Sequence, residues 1–488
     1  MTTTATTAGA LPRALADLPG PPGLPVLGNS LQIERERFHQ QLEAWAREHG
    51  DPFSFRIGKR RFLVTSAPDT IGSVLRRRPE AFRRTDRVEQ VSRDFGFLGL
   101  FSANGETWRR QRPMVLAGLD PSHIRSFFPA LVDVTARLRR RWERAADSGT
   151  VIDLQADLMR YTVDVTTGLA FGEDLNTLET SGDDTIQKHL NVIMPSLFQR
   201  ILSPLDPPAW IRRLRDRRLQ PHLQVLREAV EQFIGKTRAR LAGDSQLRER
   251  PRNLIQALVA ARDRDGSGVT DQDVAGNVLT MLLAGEDTTA NTLAWMVWLL
   301  HRNPQATADA RREVDAVLQG ADGAQDLEQL ARLDLVEACA HETMRLKPVA
   351  PFIISQANHD VLVGDVTVPA GGFVVCLMRP AGLEAESFPQ PQAFDPRRWL
   401  GEQGTAHGMA SSKRATMPFG AGPRMCPGRY LALAEIKLVA AMLLANFDIE
   451  NVEPVGGGEP REKVSLVMAP EGLRMRLRRR STARAAAA

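Results

Sequence analysis

The chain has 488 residues, of which 43% are apolar and 25% are charged. This composition allows a large buried core and excludes a chain that is disordered throughout or collagen-like. The net charge of +5 is too small to indicate nucleic-acid binding.

No long Gly/Ser-rich or Pro-rich linker divides the sequence. One large domain is therefore expected over residues 18–477, with residues 1–17 as a disordered tail and residues 478–488 as a basic, Ala-rich tail. The basic run at residues 474–484 is expected to lie in solvent after the last packed element.

Three cysteines, Cys339, Cys376 and Cys426, form no CxxC pair. An odd number of widely spaced cysteines argues against a disulfide framework and a zinc site, and it fits a reducing compartment. The first ten residues lack a basic and an apolar signal region, and the longest apolar stretch, residues 278–300, contains Glu286 and Asp287. The sequence therefore predicts a soluble cytoplasmic protein with no transmembrane anchor.

Local patterns, taken in chain order, predict a mainly helical fold with a minor β-sheet. Residues 18–29 are rich in Pro and Gly and predict an extended strap, and residues 53–57 and 61–65 predict a hairpin. Most of residues 127–346 has helical periodicity. Strand signals return at residues 352–377, 464–467 and 473–477. Because these strands lie far apart in sequence, their pairing favours one cooperative unit.

A lone cysteine lies in a glycine-rich loop just before an apolar helical pattern. Residues 419–428 read Phe-Gly-Ala-Gly-Pro-Arg-Met-Cys-Pro-Gly, and the helical pattern covers residues 430–444. A helix N-terminus stabilises a thiolate, and glycines let the backbone approach a flat cofactor. The loop suits an axial thiolate ligand to haem iron. Considered alone, it also fits a buried free cysteine among turn glycines.

A second segment lies inside a long helix predicted at about residues 271–301. Small Ala284 and Gly285 would let haem and dioxygen lie against this helix, and the Thr288 hydroxyl can bond the carbonyl of Ala284 and bend it. Asp287 stands where a carboxylate can relay protons. Glu286 is expected to point away from the haem, as a helix-packing or surface carboxylate. Alone, the segment also fits a buried helix with a satisfied threonine.

Two further helical segments carry paired side chains. Glu342 and Arg345 are three residues apart, and Trp108 and Arg112 are four apart, so each pair shares one helix face. Either segment alone also fits a solvated surface helix.

Together and in this order, the four segments resemble the cytochrome P-450 family, and the resemblance covers about residues 18–477. The string at residues 419–428 matches the family's haem-binding loop, which is a specific motif. The resemblance implies that Cys426 is the proximal iron ligand, that Phe419 packs near the sulfur, and that Arg424 pairs with a haem propionate. The cofactor site implied in this way consists of Trp108, Arg112, Ala284, Gly285, Phe419, Gly420, Arg424, Cys426 and Gly428.

The same resemblance implies roles for the other segments. Trp108 and Arg112 would hold a propionate. Glu342 and Arg345 would form a buried network with Arg398, which supports the cysteine loop. Gln356 stands where the family commonly has another propionate-binding arginine, so no cationic contact is expected at that position.

The fold implied is mainly α with a minor β-sheet region, with haem b between the long distal helix and the cysteine loop. The activity implied is that of a haem-thiolate monooxygenase that hydroxylates or epoxidises a lipophilic substrate. The alternatives are a haem-thiolate isomerase, dehydratase or peroxygenase, and a non-catalytic haem-binding or sensing protein. The catalytic pair Asp287 and Thr288 favours the monooxygenase.

The candidate substrate pocket is mostly apolar, which favours a fatty acid, terpenoid or steroid. Its members are Phe95, Phe97, Leu98, Leu100, Leu197, Phe198, Leu283, Ala284, Val349, Phe352 and Met468. Residues 195–210 fit either an ordinary helix connection or a segment that touches a membrane surface.

Electrons are expected from a separate, acidic ferredoxin or flavodoxin with its NAD(P)H reductase. The sequence contains neither a nucleotide-binding fingerprint nor an iron–sulfur cysteine cluster. Candidates for the docking face are basic residues near the cysteine loop, namely Lys413, Arg414, Arg424 and Arg429, although Arg424 would be occupied by haem. A monomer that binds no nucleic acid is expected.

Overall fold

The computed structural model describes residues 12–180, 185–201, 209–264, 266–401 and 409–480. Within these residues the chain forms sixteen α-helices. They are α1 (Phe38–His49), α2 (Pro68–Arg76), α3 (Asp86–Phe95), α4 (Gly105–Gly118), α5 (Pro121–Ser148), α6 (Leu154–Phe171), α7 (Thr185–Ile201), α8 (Ala209–Gly243), α9 (Ser245–Glu249), α10 (Leu254–Arg262), α11 (Asp271–Arg302), α12 (Pro304–Leu318), α13 (Leu327–Ala331), α14 (Asp334–Leu346), α15 (Met409–Thr416) and α16 (Arg429–Asn446).

The same residues form thirteen short strands in four small sheets. They are β1 (Arg13–Ala14), β2 (Phe53–Ile57), β3 (Arg60–Thr65), β4 (Phe82–Arg83), β5 (Ile152–Asp153), β6 (Phe352–Ala357), β7 (Val361–Val363), β8 (Val366–Val368), β9 (Phe373–Leu377), β10 (Phe447–Pro454), β11 (Glu462–Val464), β12 (Met468–Pro470) and β13 (Leu473–Arg479). The largest sheet has the order β2-β3-β9-β6-β4, in which only β3 and β9 are parallel. The others are β1-β8-β7, β10-β13-β5 and the β11-β12 pair.

Helix α11 lies at the centre of the core. It begins at a capping box, in which Thr270 and Asp273 satisfy each other's backbone N–H groups. In its second half, residues 289–300 are all buried, against neighbouring elements that include α6, α14 and α16. Pro304 follows the end of α11 and starts α12. The helix therefore gives a rigid support to any residue on its exposed middle turn.

The predicted fold class and most predicted elements are confirmed. The hairpin is β2-β3, the long helix ends one residue later than predicted, at Arg302, and the cysteine loop is followed by α16. The strand predicted at residues 464–467 is wrong. Residues 465–467 form the connection between β11 and β12, where the N–H of Ser465 donates to the carbonyl of Val467.

Both predicted tails are shorter than expected. At the N-terminal end, β1 pairs in parallel with β8, Arg13 forms an ion pair with Asp365 at 2.7 Å, and Leu15 is buried. Packing therefore begins before residue 18. The end of the tail at residues 1–11 lies outside the described residues.

At the C-terminal end, the strand β13 continues to Arg479. Its arginines alternate with buried Leu473, Met475 and Leu477, so the basic run is one face of an amphipathic strand. Those arginines pair with carboxylates on neighbouring elements, as in the pairs Arg474–Asp153, Arg478–Asp448 and Arg479–Asp147. The prediction of a solvated tail from residue 474 is therefore wrong.

Candidate functional site

The cysteine loop folds back on itself between α15 and α16. The N–H of Cys426 donates to the carbonyl of Phe419 at 2.9 Å, and the N–H of Met425 donates to the carbonyl of Gly422 at 3.0 Å. Gly428 is the N-cap residue of α16. These bonds fix the cysteine backbone one turn before the helix, with its side chain half-buried.

The glycines of this loop serve the protein's own packing. Gly420 and Gly422 have φ angles of +71° and +72°. A Cβ atom on Gly422 would lie 2.5 Å from the Cα of Arg76, so only glycine lets the loop pack on the end of α2. We expected these glycines to let the backbone approach a cofactor closely. At Gly422 the close approach is instead to the backbone at the end of α2.

The electrostatic environment of Cys426 differs from the expectation. Burial raises the pKa of the Cys426 thiol, although the N–H of Gly428 and the positive charges of Arg112 and Arg429 act in the opposite direction. The N–H group at the start of the helix therefore favours the thiolate by less than burial disfavours it. A directly bound metal ion would stabilise the thiolate, because coordination removes the thiol proton.

Three of the predicted cofactor-binding side chains meet beside this loop. The guanidinium of Arg424 lies over the Trp108 ring, 4.7 Å from its centroid, and donates to the carbonyl of Ala103 at 2.8 Å. Arg112, one turn after Trp108 on α4, donates to the carbonyl of Met425 at 2.7 Å. The structure thus brings Trp108, Arg112 and Arg424 to the cysteine loop.

Two further arginines, Arg78 and Arg84, join this group and were missed in the sequence. Arg78 is buried and donates to the carbonyl of Leu75, and Arg84 donates to the carbonyl of Phe101. Burial first, and then the charges of Arg78 and Arg424, lower the pKa of Arg84 to about 9. No local motif marks either residue, because their role depends on neighbours that the fold brings from elsewhere.

The four guanidiniums of Arg78, Arg84, Arg112 and Arg424 are named here the arginine cluster. Burial is the main cause that lowers the pKa of each, to about 10 for Arg78 and about 9 for Arg424. In the segments that the structure describes, none of the four forms an ion pair with a carboxylate. A buried positive cluster without an anion is electrostatically unfavourable by itself.

The arginine cluster fits the two propionate carboxylates of a haem. An anionic ligand would stabilise the charged forms of these arginines, and the Nε atom of Arg424 is buried without a hydrogen-bond partner. Together with a cysteine in the adjoining loop, this set of donors matches a dianionic, iron-containing macrocycle.

Gln356 is engaged elsewhere. Its Oε1 accepts the N–H of Asp86 at 2.9 Å, and its Nε2 donates to the carbonyl of Gly371 at 3.2 Å. The side chain therefore connects β6 to the start of α3, and the arginine cluster provides the cationic groups of this region.

On α11, the Thr288 hydroxyl donates to the carbonyl of Ala284 at 2.8 Å, as predicted from the spacing. The missing Cβ of Gly285 faces α6. A Cβ on it would lie 2.4 Å from the Oγ1 of Thr166, so the glycine is required for the close packing of α6. The hydroxyl of Thr162, also on α6, donates to the carbonyl of Glu286 on α11 at 3.0 Å.

Asp287 lies at a cavity of about 170 Å³, lined by Met159, Met194, Pro195, Leu283, Glu286, Asp287 and Ser465. Burial raises the pKa of Asp287 to about 6. Its carboxyl group can therefore exchange protons near neutral pH. Glu286 is only 4% exposed and lines the same cavity. Of the two roles predicted for it, that of a surface carboxylate is therefore wrong.

Glu342, Arg345 and Arg398 form a buried network. Arg345 donates to both carboxylate oxygens of Glu342, at 2.8 and 2.7 Å, and Arg398 donates to one of them at 3.3 Å. Trp399 donates to the other at 2.9 Å. Arg345 also donates to the carbonyl of Gly382 at 2.6 Å. The network joins α14 to the long segment that precedes the cysteine loop.

Ten of the eleven predicted substrate-pocket residues, all except Ala284, belong to one continuous apolar cluster or pack against it. Phe95, Phe97, Leu100, Leu197 and Met468 are buried, whereas Leu98, Phe198, Leu283, Val349 and Phe352 are partly buried. The N–H of Met468 donates to the carbonyl of Val349 at 2.8 Å, which joins the two late segments. Of the ten, only Leu283 lines the cavity at Asp287.

The loop that carries Leu98 and Leu100 is held tightly on α11. Asn277 accepts the N–H of Leu100 at 2.9 Å. Among the predicted docking residues, Arg429 donates to the Tyr430 hydroxyl at 2.9 Å, and the exposed Arg414 lies 3.7 Å from Asp69. The side chain of Lys413 and residues 202–208 lie outside the described residues.

No helix in the described ranges combines the length and apolar character that a membrane crossing requires.

Residues 18–477 match the protein-family model of cytochrome P-450. The human mitochondrial 25-hydroxyvitamin D-1 alpha hydroxylase is 28% identical, over 94% of this chain and 91% of its own. The cyclooctat-9-en-7-ol 5-monooxygenase of Streptomyces melanosporofaciens is also 28% identical, over 88% of this chain and 89% of its own.

A self-sufficient cytochrome P-450 monooxygenase of Aspergillus niger is 31% identical over 96% of this chain, which spans 43% of that relative. Among solved structures, the haem domain of cytochrome P-450DA superposes with a TM-score of 0.82 and 24% identity, over 96% of this chain and 99% of that domain. This likeness shows the fold.

Proposed function

The chain belongs to the cytochrome P-450 family and is a monooxygenase, and from this premise we propose that it hydroxylates or epoxidises a lipophilic substrate with haem b held by Cys426. The observation that carries the proposal is the arginine cluster beside the cysteine loop. Among the described residues this cluster leaves four positive charges, one buried and three half-buried, without a carboxylate partner, and a haem would bring two carboxylates.

Haem bound through a cysteine thiolate supplies the redox chemistry that activates dioxygen. The chain's own residues set its surroundings. Arg112 and Arg429 place positive charge near the Cys426 sulfur, and the N–H of Gly428 bonds it. Arg84 and Arg424 would neutralise the propionates. The network around Glu342 supports the segment that leads into the loop.

On the distal side, Thr288 and Asp287 would handle protons. The Thr288 hydroxyl donates to Ala284, which leaves its oxygen lone pairs free to accept from a water beside the reacting atoms. Asp287, with a pKa of about 6, can take a proton from the cavity side and pass it toward that water. This acid–alcohol pair favours the monooxygenase over an isomerase, a dehydratase or a non-catalytic haem protein.

The apolar cluster supports a lipophilic substrate. The names of two relatives specify 25-hydroxyvitamin D and cyclooctat-9-en-7-ol as their substrates, which supports the same class. A screen of fatty acids, terpenoids and steroids by haem spectral shift would identify the substrate.

For electron supply we retain a separate acidic ferredoxin or flavodoxin. The half-buried Arg112 and Arg429 place positive charge next to Cys426, which suits an acidic donor. Reduction should therefore slow as salt rises. Substrate turnover with NADPH and no added partner would contradict this part of the proposal. The three free cysteines support a cytoplasmic location.

The test of the function is the substitution Thr288→Ala. The variant should retain haem, substrate binding and electron uptake, but divert consumed oxygen to hydrogen peroxide, so that product formed per NADPH falls several-fold. Thr292→Ala is the matched control, because Thr292 makes the same bond to a carbonyl one turn along α11, at 2.8 Å. An unchanged product yield in Thr288→Ala would favour the peroxygenase or isomerase alternative.

A further inference from the structure

The β11-β12 hairpin forms part of the wall around the candidate substrate pocket. Ser465, in the connection between the two strands, lines the cavity at Asp287. Met468 begins β12 and is fully buried, and its N–H donates to the carbonyl of Val349 at 2.8 Å. Both Met468 and Val349 belong to the apolar cluster that contains the candidate pocket. The position of this hairpin therefore sets part of the surface that a substrate would meet.

One buried carboxylate holds the base of the hairpin. Glu462, the first residue of β11, is 8% exposed. Its Oε1 accepts from the Nζ of Lys347 at 2.6 Å and from the guanidinium of Arg379 at 2.8 Å. Its Oε2 accepts from the side-chain amide of Gln40 at 2.9 Å and lies 2.8 Å from the Nε2 of His39. The carboxylate thus joins β11 to α1, to the end of α14 and to the segment after β9.

The lysine of this network also connects it to the second strand of the hairpin. The Nζ of Lys347 lies 4.8 Å from the ring centroid of Trp295 and 5.9 Å from that of Trp298, both on α11. The indole Nε1 of Trp295 donates to the carbonyl of Met468 at 3.4 Å. Both strands are therefore tied to the same ammonium group, β11 directly and β12 through one tryptophan.

A second buried carboxylate belongs to the network but does not touch the hairpin. Arg379 donates to both carboxylate oxygens of Glu43 on α1, at 2.8 and 2.7 Å. Burial acts to raise the pKa of Glu462, but its hydrogen bond with His39 and the neighbouring cations outweigh that effect and lower the pKa. The chain's own cations therefore compensate these carboxylates. Such a network fixes the relative position of the elements it joins.

We propose that Glu462 is a positioning residue, which fixes the β11-β12 hairpin at the pocket wall and thereby sets where a lipophilic substrate lies. The inference rests on the proposed function, because it takes the candidate pocket as the substrate site. Glu462 acts through Ser465 and Met468, which follow it by three and six positions. A misplacement of about 1 Å caused far from the reacting atoms can cost up to about 100-fold, so a small shift of the hairpin is measurable.

The test compares two imidazoles that ligate haem iron in the same way. 1-Methylimidazole contacts little beyond the iron, whereas the alkyl chain of 1-dodecylimidazole also lies along the pocket wall. Both are titrated into the haem-bound full chain and followed by haem spectral shift. Glu462→Gln should weaken the binding of 1-dodecylimidazole about tenfold and change that of 1-methylimidazole less than about twofold.

Two further variants separate position from charge and from stability. Glu462→Asp keeps the charge but is one methylene too short to keep all its partners, so it should change the affinity ratio in the same direction. It also carries the test if Glu462→Gln fails to fold. Glu43→Gln is the matched control, because it removes a carboxylate of similar burial from the same network without touching the hairpin. Glu43→Gln should lower the melting temperature, as Glu462→Gln does, and leave the affinity ratio unchanged.

Hydrogen exchange measures the hairpin independently of any haem ligand. In Glu462→Gln the N–H of Met468 should exchange about tenfold faster relative to the amides of the β10-β13 pair. Glu43→Gln should leave this ratio as it is in the unmodified protein, because the hairpin keeps its carboxylate.

The proposal is overturned if Glu462→Gln and Glu43→Gln change the affinity ratio equally. Unchanged relative exchange of Met468 in Glu462→Gln would overturn it as well. Failure of the proposed function gives a different result, namely no spectral shift with either imidazole in the unmodified protein. In that case the exchange measurement still decides whether Glu462 positions the hairpin.

Discussion

Two groups of buried or half-buried arginines in this molecule differ in one respect. Arg345 and Arg398 surround the fully buried carboxylate of Glu342, and Arg345 also donates to three backbone carbonyls. The arginine cluster beside Cys426 has carbonyl partners but no carboxylate, and burial lowers the pKa of its members.

The difference separates a structural site from a ligand site. A chain that neutralises its own buried charge gains a fixed junction, whereas a chain that leaves the charge uncompensated has a place for an anion from outside. On this basis we propose that the Glu342 network stabilises the fold and that the arginine cluster would hold the propionates of haem.

The largest effect is expected from breaking the compensated group. Glu342→Gln leaves Arg345 and Arg398 buried without a negative charge and should lower the free energy of unfolding by about 3–5 kcal/mol. Chemical denaturation measures this loss. The control is Glu106→Gln, which removes an exposed partner of Arg109 and should change the same quantity by less than about 1 kcal/mol. Equal effects of the two changes would contradict the account.

Removing a member of the uncompensated cluster should have opposite effects on the two states of the protein. Arg84→Leu should leave the free energy of unfolding of the haem-free chain unchanged or raise it by about 1–2 kcal/mol, because a disfavoured buried charge is lost. The same variant should lose haem about 10 to 100 times faster, since one propionate partner is gone.

Haem transfer to an excess of an apoglobin measures the second effect. Arg474→Leu is the control, because this arginine is paired with Asp153 at the surface and should leave haem transfer unaffected. Destabilisation of the haem-free chain by Arg84→Leu together with unchanged haem retention would assign Arg84 to the structural group.

Asp287 extends the comparison to a buried carboxyl group. Burial raises its pKa from the ordinary value of 3.8 to about 6 in the folded protein. Between about pH 4 and 6 the folded state keeps a proton that the unfolded chain releases, so stability contributed by this group falls as pH rises. The full penalty, about 1–3 kcal/mol, is present above pH 6.

Asp287→Asn should remove this pH dependence. The measurement is the free energy of unfolding of the unmodified protein minus that of the variant, from pH 4 to pH 7. The difference should become more negative across that interval. A flat difference would show that Asp287 ionises with its ordinary pKa.

The smallest effect is expected at Gln356. Gln356→Ala removes two hydrogen bonds and should lower the free energy of unfolding by about 1–2 kcal/mol. Its rate of haem transfer should stay that of the unmodified protein, because the amide bonds only backbone groups. Accelerated haem loss in this variant would place Gln356 in the ligand site.

Residues close together in sequence were predictable. The spacing of Thr288 and Ala284 determines their hydrogen bond, and the loop before α16 places Cys426, because both relations depend on local geometry. The alternation of arginine with Leu473, Met475 and Leu477 likewise predicted a strand at residues 473–477, which is the first part of β13.

Contributions that depend on distant neighbours were not predictable. Arg78 and Arg84 are ordinary basic residues until the fold buries them beside Arg424. Gly285 shows no local sign that its missing Cβ faces Thr166 on α6. The cavity at Asp287 combines side chains from α6, α7, α11 and the β11-β12 connection, which only the tertiary structure brings together.

The most direct test of the central claim is the spectrum of the reduced protein under carbon monoxide. Thiolate ligation by Cys426 predicts a strongly red-shifted Soret band in the unmodified protein, and Cys426→His should lose that shift. A spectrum typical of imidazole ligation in the unmodified protein would contradict the assignment of Cys426 as the iron ligand.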